Sequence, residues 1–219
     1  MHNTVRNLIN IQTEIKSSLN FTSNKSLPKI IAVSKTFPIE KINHLIEYGH
    51  CDYGENKVQE ATNKWSLIKE QNPNIKIHLI GKLQSNKVKD AVKLFDFIHS
   101  VDSKKLSKKI SDEQKKLNKN IKIFIQVNIG DETQKSGVSK SELDELVFYC
   151  RQLDLEILGL MCIPPFDKDP NKYFQEMSKL NKKYDFTELS MGMSADYLSA
   201  IRHDASYIRI GSSIFGSRI

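Results

Sequence analysis

"IIAVSKTFP", residues 30–38, is an apolar run that reaches a lysine and then meets Thr36, Phe37 and Pro38. It reads as a buried strand. Side chains on a strand alternate faces, so Ile31, Val33 and Lys35 share one side while Ile30, Ala32 and Ser34 share the other. Lysine is rarely buried without a partner. Taken alone, Lys35 is a strand-end residue whose stem packs while its amine reaches water. The rest of the chain decides whether it is more.

The same pattern recurs almost to the end. Short β-branched runs at 29–35, 51–56, 75–81, 95–101, 121–129, 156–163, 187–192 and 205–211 read as strands. Between them lie amphipathic stretches at 39–48, 57–70, 85–94, 103–118, 139–152, 170–184 and 194–202, with a last helical turn after Ser212. Val5, Leu8, Ile11, Ile15 and Leu19 recur at helical spacing ahead of the first strand. Strands alternating with helices predict a parallel sheet, and eight strands close a (β/α)8 TIM barrel. An open doubly wound sheet is the rival, but its GxGxxG turn is missing after the first strand. No linker or shift in composition divides residues 1–219, so a single barrel domain with an extra N-terminal helix is expected.

Composition narrows the function classes. The 219 residues carry 33 basic and 26 acidic side chains, a net charge of +7. That excess suits a small anion or a nucleic acid. The lysines, however, are scattered along helices ("KKLSKK", "EQKKLNKN"), so no nucleic-acid partner is expected. No apolar segment approaches the ~20 residues that cross a bilayer, and the N-terminus does not read as a secretory leader. Cys51, Cys150 and Cys162 form no CxxC pair, and there is no HExxH. These features predict a cytoplasmic setting with no membrane association and no structural metal.

Polar residues collect where strands end, the place where barrels keep their chemistry. Lys35, Asn56, Ser190, Ser194, Arg209, Gly211 and Ser212 all fall there. Phosphates in barrels bind after strands seven and eight, at a short helix start. "LSMGMS" (189–194) and "RIGSSIFG" (209–216) supply glycines for close approach and hydroxyls as donors. Ser194 and Ser212 are equally well placed as helix caps. Arg209 cannot give up its proton and needs an acceptor. That acceptor is either a ligand or an internal carboxylate such as Asp52, Glu55 or Asp102.

"IIAVSKTFP", "YGENKVQE", "HLIGKLQSNK", "HSVDS", "VNIGDETQKSGV", "LGLMCIPP", "LSMGMSADYLSAI" and "IRIGSSIFGSR" together resemble the pyridoxal-phosphate homeostasis proteins (the YggS/PROSC family). That family shares the barrel of the alanine racemase N-terminal domain, fold type III among enzymes using this cofactor. The stretches keep the family's order and cover the chain almost end to end. The resemblance implies pyridoxal 5'-phosphate as cofactor, with Lys35 forming the Schiff base and Arg209 facing the pyridine nitrogen. It implies Ser190, Ser194, Gly211 and Ser212 around the phosphate, with Met191 and Gly192 beside them, and Asn56 lining the ring. The family often has Thr at position 212, which keeps the hydroxyl. Its loop after strand five usually reads differently from "NIGDETQKSG".

The chemistry agrees with that set. Imine formation needs a neutral amine, and an amine partly desolvated near another cation gives up its proton more readily. Pyridoxal phosphate works best as an electron sink when its ring nitrogen is protonated, usually by a carboxylate. Arginine only donates, so it weakens that sink. Alanine racemase shares the arginine but adds a tyrosine base from a further domain, which 219 residues are not expected to hold. The expected function is therefore a monomeric carrier that holds the cofactor and hands it to apo-enzymes, with free amino acids competing for the imine. A racemase of the alanine racemase type is the alternative. A class I aldolase fits less well, because its lysine commonly sits on a later strand.

Overall fold

A computed structural model describes residues 1–19 and 26–216. The last two residues of the "IRIGSSIFGSR" stretch, 217 and 218, lie outside the described residues. The chain runs α1 (Asn3–Ser18), β1 (Lys29–Val33), α2 (Ile39–Glu47), β2 (Asp52–Glu55), α3 (Val58–Gln71) and β3 (Lys76–Leu79). It continues with a 3-10 turn (Ser85–Lys87), α4 (Val88–Leu94), β4 (Phe97–Val101), α5 (Lys104–Lys116), β5 (Lys122–Gln126) and α6 (Leu143–Gln152). The chain finishes with β6 (Glu156–Met161), α7 (Asn171–Lys183), β7 (Glu188–Met193), α8 (Tyr197–Arg202), β8 (Tyr207–Ile210) and α9 (Ser212–Phe215).

The eight strands pair in chain order and close, β8 against β1, into a parallel barrel. This is the (β/α)8 barrel that the alternation predicts. Two cores follow from the alternation of side chains. The larger lies between sheet and helices and takes Ala32, Tyr53, Ile77, Ile98, Leu189 and Ile208 from the strands. Leu8, Ile42, Leu45, Trp65 and Ile110 meet them from the helices, all fully buried. Truncating such a residue as Leu8 costs about 2–5 kcal/mol. The smaller core fills the barrel itself with Ile31, Phe97, Phe124, Met161 and Tyr207.

Every expected strand is present; six of the eight end earlier than expected, because the backbone leaves the ladder where it forms the mouth, while β4 ends at Val101 as expected and β7 runs one residue further, to Met193. The stretch 139–152 becomes helical only at Leu143. Ser139 Oγ accepts from the amide of Glu142 and holds the preceding residues in a turn. Loop 130–138, which the sequence leaves without a role for its glycines, folds back so that Val127 bridges Val138. A Cβ on Gly137 would stand 2.5 Å from the Asn128 nitrogen, and its φ of +124° also favours glycine.

Candidate functional site

Closure of the barrel decides which residues meet. The β1–β8 register sets Ile31 beside Arg209 and Ala32 beside Ile210, so the chain leaving β1 runs alongside the chain leaving β8. At that C-terminal mouth lies a cavity of about 530 Å³, a size suited to a small cofactor. Lys35, Asn56, Ser194, Arg209, Gly211 and Ser212 line it, with Val33, Ile80, Ile163 and Met193 as apolar walls. Phe37 also lines it and stacks on Phe215 at 4.9 Å, tying the turn after β1 to α9.

Lys35 is not the last residue of its strand, as the alternation predicts. β1 ends at Val33 and Lys35 stands in the following turn, half-buried. The turn is built from strain and charge. Thr36 takes a φ of +67°, an unusual conformation for a β-branched residue. Its amide donates to Glu60 Oε1 at 2.7 Å. Lys64 Nζ donates to the Ser34 carbonyl at 2.9 Å and to Glu55 Oε1 at 3.0 Å. Ser34 Oγ and Trp65 Nε1 donate to the same Glu55 oxygen at 2.8 and 2.9 Å. Glu55 therefore sits behind the sheet, fully buried, and does not join the mouth. Burial raises the Glu60 pKa, but the Thr36 amide and the Lys64 charge outweigh it and hold it below the usual range.

Arg209 is 4% exposed and takes neither Asp52, Glu55 nor Asp102 as its acceptor. Nη1 donates to Ser190 Oγ at 2.7 Å and Nη2 to the Cys162 carbonyl at 2.8 Å. Its partners in the fold are thus neutral.

Around the expected phosphate end, the turn after β7 meets the start of α9. Ser194 Oγ accepts long contacts of 3.4 and 3.5 Å from the amides of Gly211 and Ser213. It stitches two loops together instead of capping α8. Ser212 is the first residue of α9, exposed at the cavity edge, and caps nothing.

Three of the sequence-predicted residues do not reach the cavity. Ser190 is fully buried beneath Arg209, with its hydroxyl engaged there and with His99. Met191 faces the helix layer. Gly192 has a φ of +92°, and a Cβ there would stand 2.7 Å from Ala200 Cβ, so it shapes the turn from behind. The causes differ: strand alternation turns Met191 to the helix layer, Arg209 covers the inward-facing Ser190, and the turn at Gly192 packs it against α8. Conversely, Phe37, Ile80, Ile163, Phe166 and Met193 line it unforeseen. A period-two reading of "IKIHLIG" would have found Ile80, which shares its face with His78.

Comparison with known proteins agrees with this architecture. The family model described as alanine racemase, N-terminal domain, matches residues 7–219. The pyridoxal phosphate homeostasis protein of Pasteurella multocida is 33% identical over 225 residues, 97% of each chain. The structure of PipY from Synechococcus elongatus with PLP bound superposes with a TM-score of 0.86 at 31% identity, covering 97% of this chain and all of that one. Alanine racemase from Clostridium difficile gives 0.74 at 15% identity over 99% of this chain and 57% of the racemase, a likeness of fold alone.

Proposed function

We propose, from the premise that the chain belongs to the alanine racemase N-terminal-domain family and within it to the pyridoxal phosphate homeostasis proteins, that it binds pyridoxal 5'-phosphate as a carrier. The observation that supports this most is the convergence of Lys35, Arg209 and the Ser194–Ser212 rim on one cavity. These residues fit the cofactor's parts. The amine suits an aldehyde, the hydroxyl-bearing loops after β7 and β8 suit a phosphate ester, and the apolar walls suit a flat ring.

Lys35 Nζ is the group that would hold the cofactor at its aldehyde carbon. The strained turn at Thr36 and its anchor on Glu60 keep that amine at the mouth. Arg209 would lie toward the ring nitrogen and, being a donor only, would supply it no proton acceptor and leave it unprotonated. Asn56 flanks the ring, and Ser194, Gly211 and Ser212 hold the phosphate. The cofactor when bound supplies an exchangeable aldehyde, open to free amino acids and to transfer toward apo-enzymes. None of the described cavity-lining residues is a tyrosine. Among the described residues no helix is long and apolar enough to cross a membrane. The three cysteines are free thiols, which suits a reducing, cytoplasmic setting.

The visible spectrum of the purified protein is the direct test. A yellow band that disappears in Lys35→Ala, with the fold retained, is the expected result. Sustained Lys35-dependent interconversion of D- and L-alanine or serine would replace the carrier with a racemase.

A further inference from the structure

We propose that Asp52, His78, His99 and Ser190 form a one-way hydrogen-bond line through the barrel interior that sets the pose of the Arg209 guanidinium from the opposite mouth. The inference rests on the reading of Arg209 as the group facing the cofactor ring.

The line has four links. Arg209 Nη1 meets Ser190 Oγ at 2.7 Å, and Ser190 Oγ meets His99 Nδ1 at 2.9 Å. His99 Nε2 meets His78 Nδ1 at 3.0 Å, and His78 Nε2 meets Asp52 Oδ1 at 3.0 Å. Its two ends fix its direction. A guanidinium only donates, so Ser190 accepts there and keeps its own proton for His99 Nδ1. A carboxylate only accepts, so His78 Nε2 must carry a proton and its Nδ1 must accept from His99 Nε2. Every link is satisfied when both imidazoles are neutral and both carry the proton on Nε2. The reverse direction would aim a lone pair of neutral His78 at the carboxylate.

Packing leaves the tautomer as the remaining freedom. His78 stacks on Phe97 at 4.2 Å and 8°, and His99 stacks on Phe124 at 4.3 Å and 20°. Tyr207 closes against both histidines at 6.0 Å. Burial keeps each ring neutral, opposed at His78 by Asp52 and reinforced at His99 by His78 and Arg209. At the far end, the Asp52 side chain is 25% exposed at the start of β2, among Lys29, His50 and Tyr207. A barrel interior is ordinarily filled by branched aliphatics. A buried polar line here is tolerable only because every member is paired, and it ends on the arginine of the cavity. None of the four residues lines that cavity, so they are positioning residues.

Histidine-labelled protein without cofactor tests the line by two-dimensional 15N–1H spectra at neutral pH. His78 and His99 are expected as Nε2–H tautomers. In Asp52→Ala, His99, which does not touch Asp52, is expected to gain an Nδ1–H population. Affinity for pyridoxal phosphate is expected to fall about three- to tenfold, the scale of one weakened hydrogen bond. Asp52→Asn, closer in shape, should shift His99 the same way but less, and serves if the alanine variant does not fold. An Nδ1–H His99 in the parent protein overturns the proposal. So does an unchanged His99 in both Asp52 variants, or a shifted His99 with unchanged affinity. A parent protein that fails to bond the cofactor at Lys35 overturns the carrier reading, while the tautomers still decide whether the line exists.

Discussion

The two walls of the cavity are held by opposite means. On the β1 side, Lys35 is positioned from outside the barrel by ions: Glu60 on the Thr36 amide, and Lys64 between Glu55 and the Ser34 carbonyl. On the β8 side, Arg209 is positioned from inside the barrel by neutral groups, Ser190 Oγ and the Cys162 carbonyl. The helix layer can bury an ion pair because a long side chain such as Lys64 reaches from its helix to the buried Glu55, with the partly exposed Glu60 sharing its ammonium. The barrel interior has no such approach. There the guanidinium is held by neutral acceptors, the Cys162 carbonyl and a hydroxyl whose donors and acceptors are all used. One wall is therefore sensitive to loss of a carboxylate, and the other to protonation.

Glu55→Ala is the largest expected break on the lysine wall. It takes from the Lys64 ammonium its buried carboxylate, leaving it Glu60 at 3.4 Å and the Ser34 carbonyl, and it strands the buried Trp65 N–H, a combined loss of about 2–4 kcal/mol. Urea unfolding measures that loss, and an effect below about 1 kcal/mol would mean the ions do not hold this wall. The arginine wall should respond to pH. Desolvation depresses the pKa of His78 and His99 in the folded protein, and His50 behaves likewise. The unfolded chain therefore binds protons that the fold refuses, so stability is full above about pH 6.5 and falls below it. The slope is at most about 1.4 kcal/mol per pH unit for each histidine. His99→Asn should flatten it, as denaturation series between pH 5 and 7 would reveal.

Ser212→Ala touches the edge that joins the walls and should weaken cofactor retention by about 1.5–3 kcal/mol, the scale of a hydrogen bond to a charged group. Equilibrium dialysis of parent and variant gives that ratio, and equal retention would remove Ser212 from the phosphate end. Thr36→Gly is the smallest and has the opposite sign. Relieving a β-branched residue at φ +67° should stabilise the fold by about 1 kcal/mol, even after glycine's entropy cost. The same change should slow bonding of the aldehyde at Lys35, because the turn no longer fixes the amine. A Thr36→Gly protein that is less stable would show that the turn is not strained.

The strands were legible because each is a compact β-branched run and the helices between them are amphipathic. Lys35, Asn56, Ser194, Arg209, Gly211 and Ser212 were legible because strand ends in a barrel share one mouth. Three features were not. The exit of Lys35 from its strand depends on Glu60 and Lys64, which come from a helix more than 20 residues away. Ser190 reads as a ligand hydroxyl until the barrel closes and brings Arg209 over it. The pairing of His78 with His99 joins separate strands, and "HSV" alone carries no sign that its histidine points inward at another.

Borohydride reduction of the purified, cofactor-loaded protein, followed by peptide mapping, tests the convergence of the two walls most directly. The expected result is a pyridoxyl phosphate group on Lys35 alone, lost in Lys35→Ala and much reduced in Arg209→Leu. A label spread over the surface lysines, or one on Lys35 that is indifferent to Arg209, would contradict it.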